Sequence, residues 1–138
     1  MNKSSFTWII LLAFGLFSVA LTGSAIAPAS AQANVPLVVV LTADGPISPA
    51  MAEYLSRGIQ TAERRGAEAL IVQLNTPGGA ITTMNAMVQD ILASEVPVIV
   101  YVAPQGGMAA SAGTLITLAG HAAAMAPGTM IGAASPVR

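Results

Sequence analysis

Two glycine-rich segments, the second of which holds a serine, are the part of this sequence best suited to chemistry. Residues 75–79 read Asn-Thr-Pro-Gly-Gly, and residues 106–114 contain Ser111 among alanines and glycines. Glycine lets a backbone approach a substrate and aim its N–H groups, as an oxyanion hole requires. A serine that begins a helix gains from the positive end of the helix dipole, which favours developing negative charge. Together the two segments indicate acyl transfer.

Each segment taken alone also has a purely structural interpretation, and that interpretation is the favoured one. Thr-Pro-Gly-Gly is an ordinary turn composition, and a serine in an alanine-rich stretch is most often a small core residue or a helix cap. Residues 109–113 are similar to a nucleophile elbow with alanine in place of the first glycine, but no Asp or Glu follows Ser111. No Gly-Lys-Ser or Gly-Lys-Thr occurs, which disfavours a nucleotide phosphate site.

Composition disfavours several other kinds of site. One histidine, His121, and no cysteine leave too few typical ligands for zinc. Ten residues along a helix correspond to about 15 Å, so we expect His121 to be a structural or surface residue, out of hydrogen-bonding reach of Ser111. Beyond residue 31 there are six acids and four arginines, without a basic cluster. We therefore expect no metal, no cofactor and no nucleic-acid partner.

The elements that must position these segments alternate between strand and helix. The apolar run at residues 36–41 predicts a strand buried on both faces, the runs at 69–74 and 98–102 predict two further strands, and residues 122–126 predict a fourth. Apolar residues recur at helical spacing after Ser48-Pro49 and after Gly79, which predicts two helices, and residues 108–119 predict the start of a third. This alternation predicts a parallel α/β fold with right-handed crossovers. Both glycine-rich segments then follow carboxyl ends of strands, where such sheets place ligands.

Four ordered segments resemble the NfeD family of membrane serine proteases, within the ClpP and crotonase-like superfamily. These segments are residues 74–79, 97–102, 109–114 and 126–133. The resemblance covers most of the chain from residue 38 onward and implies a ClpP/crotonase-like α/β fold, incomplete in this chain. It also implies that Ser111 is the nucleophile, with an oxyanion hole made by the N–H of Gly78 or Gly79 and that of Ala112. Met108, three residues before Ser111, is expected to line the substrate groove.

The general base of the family is a lysine, in a segment that would follow Arg138. The only lysine of this chain is Lys3, and a serine hydroxyl is a poor nucleophile until a base takes its proton. The resemblance therefore implies an oligomeric serine endopeptidase with a Ser-Lys dyad in the intact protein. It would cleave hydrophobic polypeptide segments at the membrane, whereas residues 32–138 alone would show little or no activity. The alternatives are a signal-peptide peptidase of the SppA type and a non-catalytic scaffold that binds a membrane partner.

Residues 1–31 have the three-part order of a secretory signal. Lys3 precedes an apolar stretch at residues 6–21, and small residues follow at 25–27 and 29–31. Because the stretch is shorter than the roughly 20 residues that span a bilayer, we favour cleavage after Ala31, with Ala27 as second choice, over an uncleaved anchor. We expect an exported protein at the periplasmic or extracytoplasmic face of the membrane. Residues 32–138 would then be the N-terminal part of a truncated ClpP-like protease domain.

Overall fold

The computed structural model describes residues 35–135. The predicted signal and both predicted cleavage sites lie outside these residues. Within residues 35–135, no helix combines the length and the apolar character needed to cross a membrane.

The strands of the main sheet are separated by helices along the chain, as the sequence predicts. The elements are β1 (Val38–Asp44), α1 (Pro49–Arg64), β2 (Ala69–Asn75), α2 (Ile81–Ala93), β3 (Val98–Val102), β4 (Met108–Ala110), α3 (Ala112–Ala119), β5 (Ala122–Met125) and β6 (Met130–Gly132). A four-stranded parallel sheet has the order β1-β2-β3-β5, and β4 and β6 form a separate parallel pair. The predicted parallel α/β fold is confirmed.

The start of α1 shows how closely local sequence determines these elements. Ser48 caps the helix, because its side chain accepts the N–H of Met51 at 3.4 Å, and Pro49 occupies the first helical position. The buried face of the helix repeats at helical spacing and includes Leu55 and Ile59. Tyr54, which the same spacing places near this face, is 39% exposed.

The parallel sheet is covered by helices on one face. Helix α1 packs on β1 and β2, α3 packs on β3 and β5, and α2 packs against both helices. Alternate strand residues on this face form the core: Leu41, Ala43, Leu70, Val72, Leu74, Val98, Val100 and Val102. The prediction that the first strand is buried on both faces is wrong for β1 within the described residues. Val38 and Val40, on its other face, are 43% and 52% exposed because no described helix packs there.

Two features near residue 111 differ from the sequence prediction. Residues 108–110, predicted as part of a helix, form β4, and α3 begins at Ala112. Strand β6 was not predicted at all. The two strands exist because they pair with each other over Met108–Ala110 and Met130–Gly132, a contact that local sequence does not encode. Ser111 thus lies between a strand and a helix.

Candidate active site

Ser111 occupies a strained turn between β4 and α3. Its backbone angles are φ 51° and ψ −116°, a left-handed combination that non-glycine residues rarely adopt. Such strain costs on the order of 1–3 kcal/mol and persists only where the surrounding structure enforces it, most often at functional sites. A serine on a sharp strand-to-helix turn is also the structural context that a nucleophile elbow requires. The side chain is exposed and borders a cleft.

Backbone hydrogen bonds on both sides hold this turn. The N–H of Ser111 donates to the carbonyl of Gly132 at 2.8 Å, which ties the turn to the end of β6. The N–H of Ala110 donates to the carbonyl of Thr76 at 3.0 Å, which ties the preceding residue to the first glycine-rich segment. The carbonyl of Ser111 accepts the N–H of Thr114 at 3.0 Å in the first turn of α3. The strained conformation is therefore fixed from three directions.

The first glycine-rich segment packs directly against Ser111 at Gly78. A Cβ atom built on Gly78 would lie 2.8 Å from the Cβ of Ser111 and 3.0 Å from the carbonyl oxygen of Ala110. Gly78 also has φ +106°, in the left-handed region that favours glycine. Both the space and the backbone conformation thus require glycine here. The two glycine-rich segments, which the sequence places 27 or more residues apart, meet at one point.

Asn75 and Thr76, which were treated as ordinary turn residues in the sequence, connect this loop to β4. The amide of Asn75 donates to Asp44 at 2.9 Å, and its oxygen accepts the N–H of Met108 at 3.0 Å. Thr76 is fully buried, and its N–H donates to the carbonyl of Met108 at 2.7 Å. The sequence feature that could have indicated this role is their position as a polar pair directly after a buried strand and before Pro-Gly-Gly.

The three predicted oxyanion-hole residues differ in whether their backbone N–H groups already donate a hydrogen bond. The N–H of Gly78 donates to Oγ1 of Thr76 at 3.1 Å. The N–H of Gly79 donates to no other described residue, although this glycine lies so close to Ile47 that a Cβ would overlap the Ile47 carbonyl oxygen. Ala112 is the first residue of α3, so its N–H has no acceptor within the helix. Within the described part of the chain, the N–H groups of Gly79 and Ala112 are therefore two free backbone donors, one on each of the two segments that meet at Ser111.

An apolar cleft with a volume of about 320 Å³ opens beside Ser111. Its walls are Ile81, Met84, Ser111, Ala112, Leu115, Ala134 and Ser135. None of these lining residues carries an acidic or basic side chain, so the described cleft holds no candidate general base. Met108, predicted to line the groove, lies half-buried in β4, where it pairs with Met130, and is not among the lining residues.

His121 lies at the opposite end of the sheet from this cleft. Its Nδ1 accepts the N–H of Val98 at 3.2 Å, and its own N–H donates to the Val98 carbonyl at 2.9 Å. Val98 is the first residue of β3, whereas the segments around Ser111 follow the carboxyl ends of the strands. Because five strand residues span about 16 Å, this geometry excludes a hydrogen bond between His121 and Ser111.

Solved structures that resemble the fold of this chain are ClpP-like protease domains. ClpP1 from Listeria monocytogenes gives a TM-score of 0.60 over 65% of this chain and 52% of that chain, at 24% identity. At that identity the likeness shows the fold alone, which is the ClpP-like class of α/β domain. The family model described as NfeD1b, N-terminal domain, matches residues 37–138. The chain belongs to this family, and the resemblance found in the sequence is confirmed.

Two relatives make the family match more specific. The membrane-bound protease PH1510 of Pyrococcus horikoshii is 48% identical over 101 residues, which are 73% of this chain and 23% of that protein. The membrane protein NfeD1b of Bacillus subtilis is 35% identical over 123 residues, 89% of this chain and 27% of that protein. The chain therefore spans about a quarter of the length of these relatives.

Solved structures of a membrane-bound stomatin-specific protease, 1510-N, match at higher similarity than ClpP1. A serine-to-alanine mutant gives a TM-score of 0.72 at 46% identity, over 74% of this chain and 49% of that chain. A lysine-to-alanine mutant in complex with a substrate peptide gives 0.72 at 47% identity, over 74% and 47%. A further structure of this protease, from Pyrococcus horikoshii, gives 0.68 at 48% identity.

Proposed function

We propose that this chain supplies the nucleophile and the oxyanion hole of an NfeD-type serine endopeptidase that acts at the membrane. The observation that carries the proposal is the packing of Gly78 against a serine held at positive φ. A structural serine needs neither the strain nor the glycine, whereas a nucleophile beside an oxyanion hole uses both. The proteases of Pyrococcus horikoshii named above support the same activity.

In the proposed reaction the Oγ of Ser111 attacks the carbonyl carbon of a peptide bond. Its proton passes to a general base, an Oγ–C bond forms, and negative charge collects on the former carbonyl oxygen. The N–H of Ala112 and that of Gly79 or Gly78 would bind this oxyanion. Since the N–H of Gly78 is already bonded to Thr76, the geometry favours Gly79 as the second donor. The C–N bond then breaks, the base returns the proton to the departing amine, and water hydrolyses the acyl ester.

The general base in this proposal is a lysine outside residues 32–138. No lysine occurs in that range, and arginine stays protonated at any physiological pH. A lysine can accept the serine proton when burial keeps much of it neutral. The 1510-N protease was solved both as a serine-to-alanine and as a lysine-to-alanine mutant, the latter with a substrate peptide, which supports a Ser-Lys dyad. Residues 32–138 by themselves would then have little or no peptidase activity.

The proposed substrates are hydrophobic segments of membrane polypeptides. The cleft beside Ser111 has apolar walls, among them Leu115, which is 43% exposed, and Ile81, which is 69% exposed. Its volume lies within the range of about 300–1,000 Å³ that is typical of ligand sites. A membrane-bound relative that is named stomatin-specific supports a membrane-protein substrate. An apolar side chain bound next to the nucleophile would be desolvated in this cleft.

A charge in the cleft is expected to weaken attack on apolar substrates. Leu115→Asp places a carboxylate in the wall beside Ser111, and we expect kcat/KM for a fluorogenic peptide with leucines next to the scissile bond to fall by about tenfold or more. Leu118→Asp is the matched control, because Leu118 lies on the same helix, is 69% exposed and does not line the cleft. Met108→Asp tests the predicted groove role of Met108 in the same assay. Equal losses in the Leu115 and Leu118 variants would contradict an apolar specificity site.

We also propose that the protein is exported, with residues 1–31 as a cleaved signal. N-terminal sequencing of the native protein from a membrane fraction is expected to begin at Gln32, or at Pro28 if the second site is used. A retained Lys3 would instead show an uncleaved anchor.

The proposed homo-oligomer is tested on the same preparation by light scattering, where a monomer mass would contradict it.

A non-catalytic scaffold remains the second candidate, because the described cleft lacks a base. Reaction of the native protein with a fluorophosphonate reagent separates the two, since a scaffold would leave Ser111 unlabelled. The family match favours the NfeD type over the SppA type.

A further inference from the structure

We infer that Thr114 is a positioning residue that holds Ser111 in its reactive conformation, an inference that rests on the proposed function. Thr114 lies one turn into α3, and its side chain is half-buried. Thr114 is not among the residues that line the cleft. Instead it joins the strand before Ser111 to the strand that binds the Ser111 backbone.

The contacts of the Thr114 hydroxyl reach both of these strands. Its Oγ1 lies 2.7 Å from the carbonyl oxygen of Gly132, 2.9 Å from that of Ala109 and 3.0 Å from the backbone nitrogen of Gly132. The hydroxyl therefore accepts the N–H of Gly132 and donates its single proton to one of the two carbonyls at a time. Ala109 is in β4 and Gly132 is in β6, so the Thr114 side chain connects both strands of this pair to α3 by hydrogen bonds.

The same Gly132 carbonyl is the acceptor for the N–H of Ser111, at 2.8 Å. The position of that oxygen therefore sets the orientation of the peptide group that leads into the strained serine. Without the Thr114 hydroxyl, the backbone N–H and carbonyl of Gly132 lose their contacts to α3, and β6 keeps fewer links to the turn. A residue at φ 51° relaxes unless its neighbours fix it. Relaxation of the Ser111 backbone would displace the Oγ of Ser111 and reorient the N–H of Ala112.

A second buried threonine on the same helix provides a matched comparison. Thr117 is 1% exposed, and its hydroxyl donates to the Gly113 carbonyl at 2.8 Å. This is the ordinary bond of a helical threonine to the residue four positions earlier, and it reaches neither β4 nor β6. Valine at either position removes one hydroxyl and keeps the side-chain shape. Only the change at Thr114 removes a link to the turn of Ser111.

The test measures fluorophosphonate labelling of the native protein, in detergent, for the wild type and for Thr114→Val, Thr114→Ser and Thr117→Val. We expect Thr114→Val to lower the maximal labelling rate by about 10- to 100-fold with little change in the half-saturating reagent concentration, as a misplaced nucleophile would. Thr114→Ser should restore most of the rate because it restores the hydroxyl. Thr117→Val should lose thermal stability without losing rate. If Thr114→Val does not fold, Thr114→Ala takes its place.

The outcomes separate this inference from the proposed function. A wild type that is not labelled at Ser111 would overturn the proposed function itself. A labelled wild type together with Thr114→Val labelled at the same maximal rate would overturn the role of Thr114 alone. Loss of rate in Thr117→Val as large as in Thr114→Val would also overturn it, since that result would show a general effect of helix stability.

Discussion

Ser111→Ala is expected to abolish labelling of the native protein by a fluorophosphonate reagent and to lower peptidase activity by at least about a thousandfold. In the labelling reaction an Oγ–P bond forms, the P–F bond breaks, fluoride leaves and the serine proton passes to the base. Alanine has no oxygen to form that bond. Since Ser111 is exposed and its side chain makes no hydrogen bond to a described residue, the fold should be retained.

Ser56→Ala is the control for Ser111→Ala. Ser56 is a half-buried serine on α1, away from the cleft, and its loss should leave both labelling and activity unchanged. Gel fluorescence after reaction with a fluorophosphonate–fluorophore, followed by peptide mass spectrometry, identifies the labelled residue. Labelling that persists in a folded Ser111→Ala protein would show that another serine is the nucleophile and would remove the basis of the proposed site.

The main sheet was predictable because its signals are local. Segments rich in Val, Ile and Leu that are five to seven residues long, separated by helices, of which α1 starts with Pro49, specify parallel strands and crossovers. The meeting of the two glycine-rich segments also followed from topology, since both come after carboxyl ends of strands. Sequence pattern therefore predicted which loops converge.

The local geometry at Ser111 was not predictable, because its cause is tertiary. Strand β4 has three residues, Met108–Ala110, and it exists through pairing with Met130–Gly132 on one side and with Thr76 on the other. Alanine-rich sequence favours helix in isolation, so propensity indicated the wrong element there. The positive φ of Ser111 likewise depends on the Gly132 carbonyl, 21 residues further along the chain. The residues that hold Ser111 in this conformation were therefore found only in the structure.

Gly78→Ala is expected to lower the fluorophosphonate labelling rate of Ser111 by about a hundredfold, as a displacement of about 1 Å at a nucleophile would. The added Cβ would lie 2.8 Å from the Cβ of Ser111, closer than such atoms approach. Either the turn at Ser111 or the loop that carries Gly79, the proposed oxyanion donor, must shift. The backbone of Gly78, at φ +106°, adds strain of about 1–3 kcal/mol, which lowers the free energy of unfolding as well.

Gly45→Ala separates these two effects, because Gly45 has nearly the same backbone angle, φ +109°, but nothing lies within 4 Å of an added Cβ. Both variants should therefore lose free energy of unfolding by urea titration, Gly78→Ala by at least as much as Gly45→Ala because of its added steric overlap, and only Gly78→Ala should also lose labelling rate. If the two variants are labelled equally fast, the contact between Gly78 and Ser111 does not control the nucleophile. In that case the close approach of the glycine loop would serve packing, and the oxyanion donors would have to lie elsewhere in the native protein.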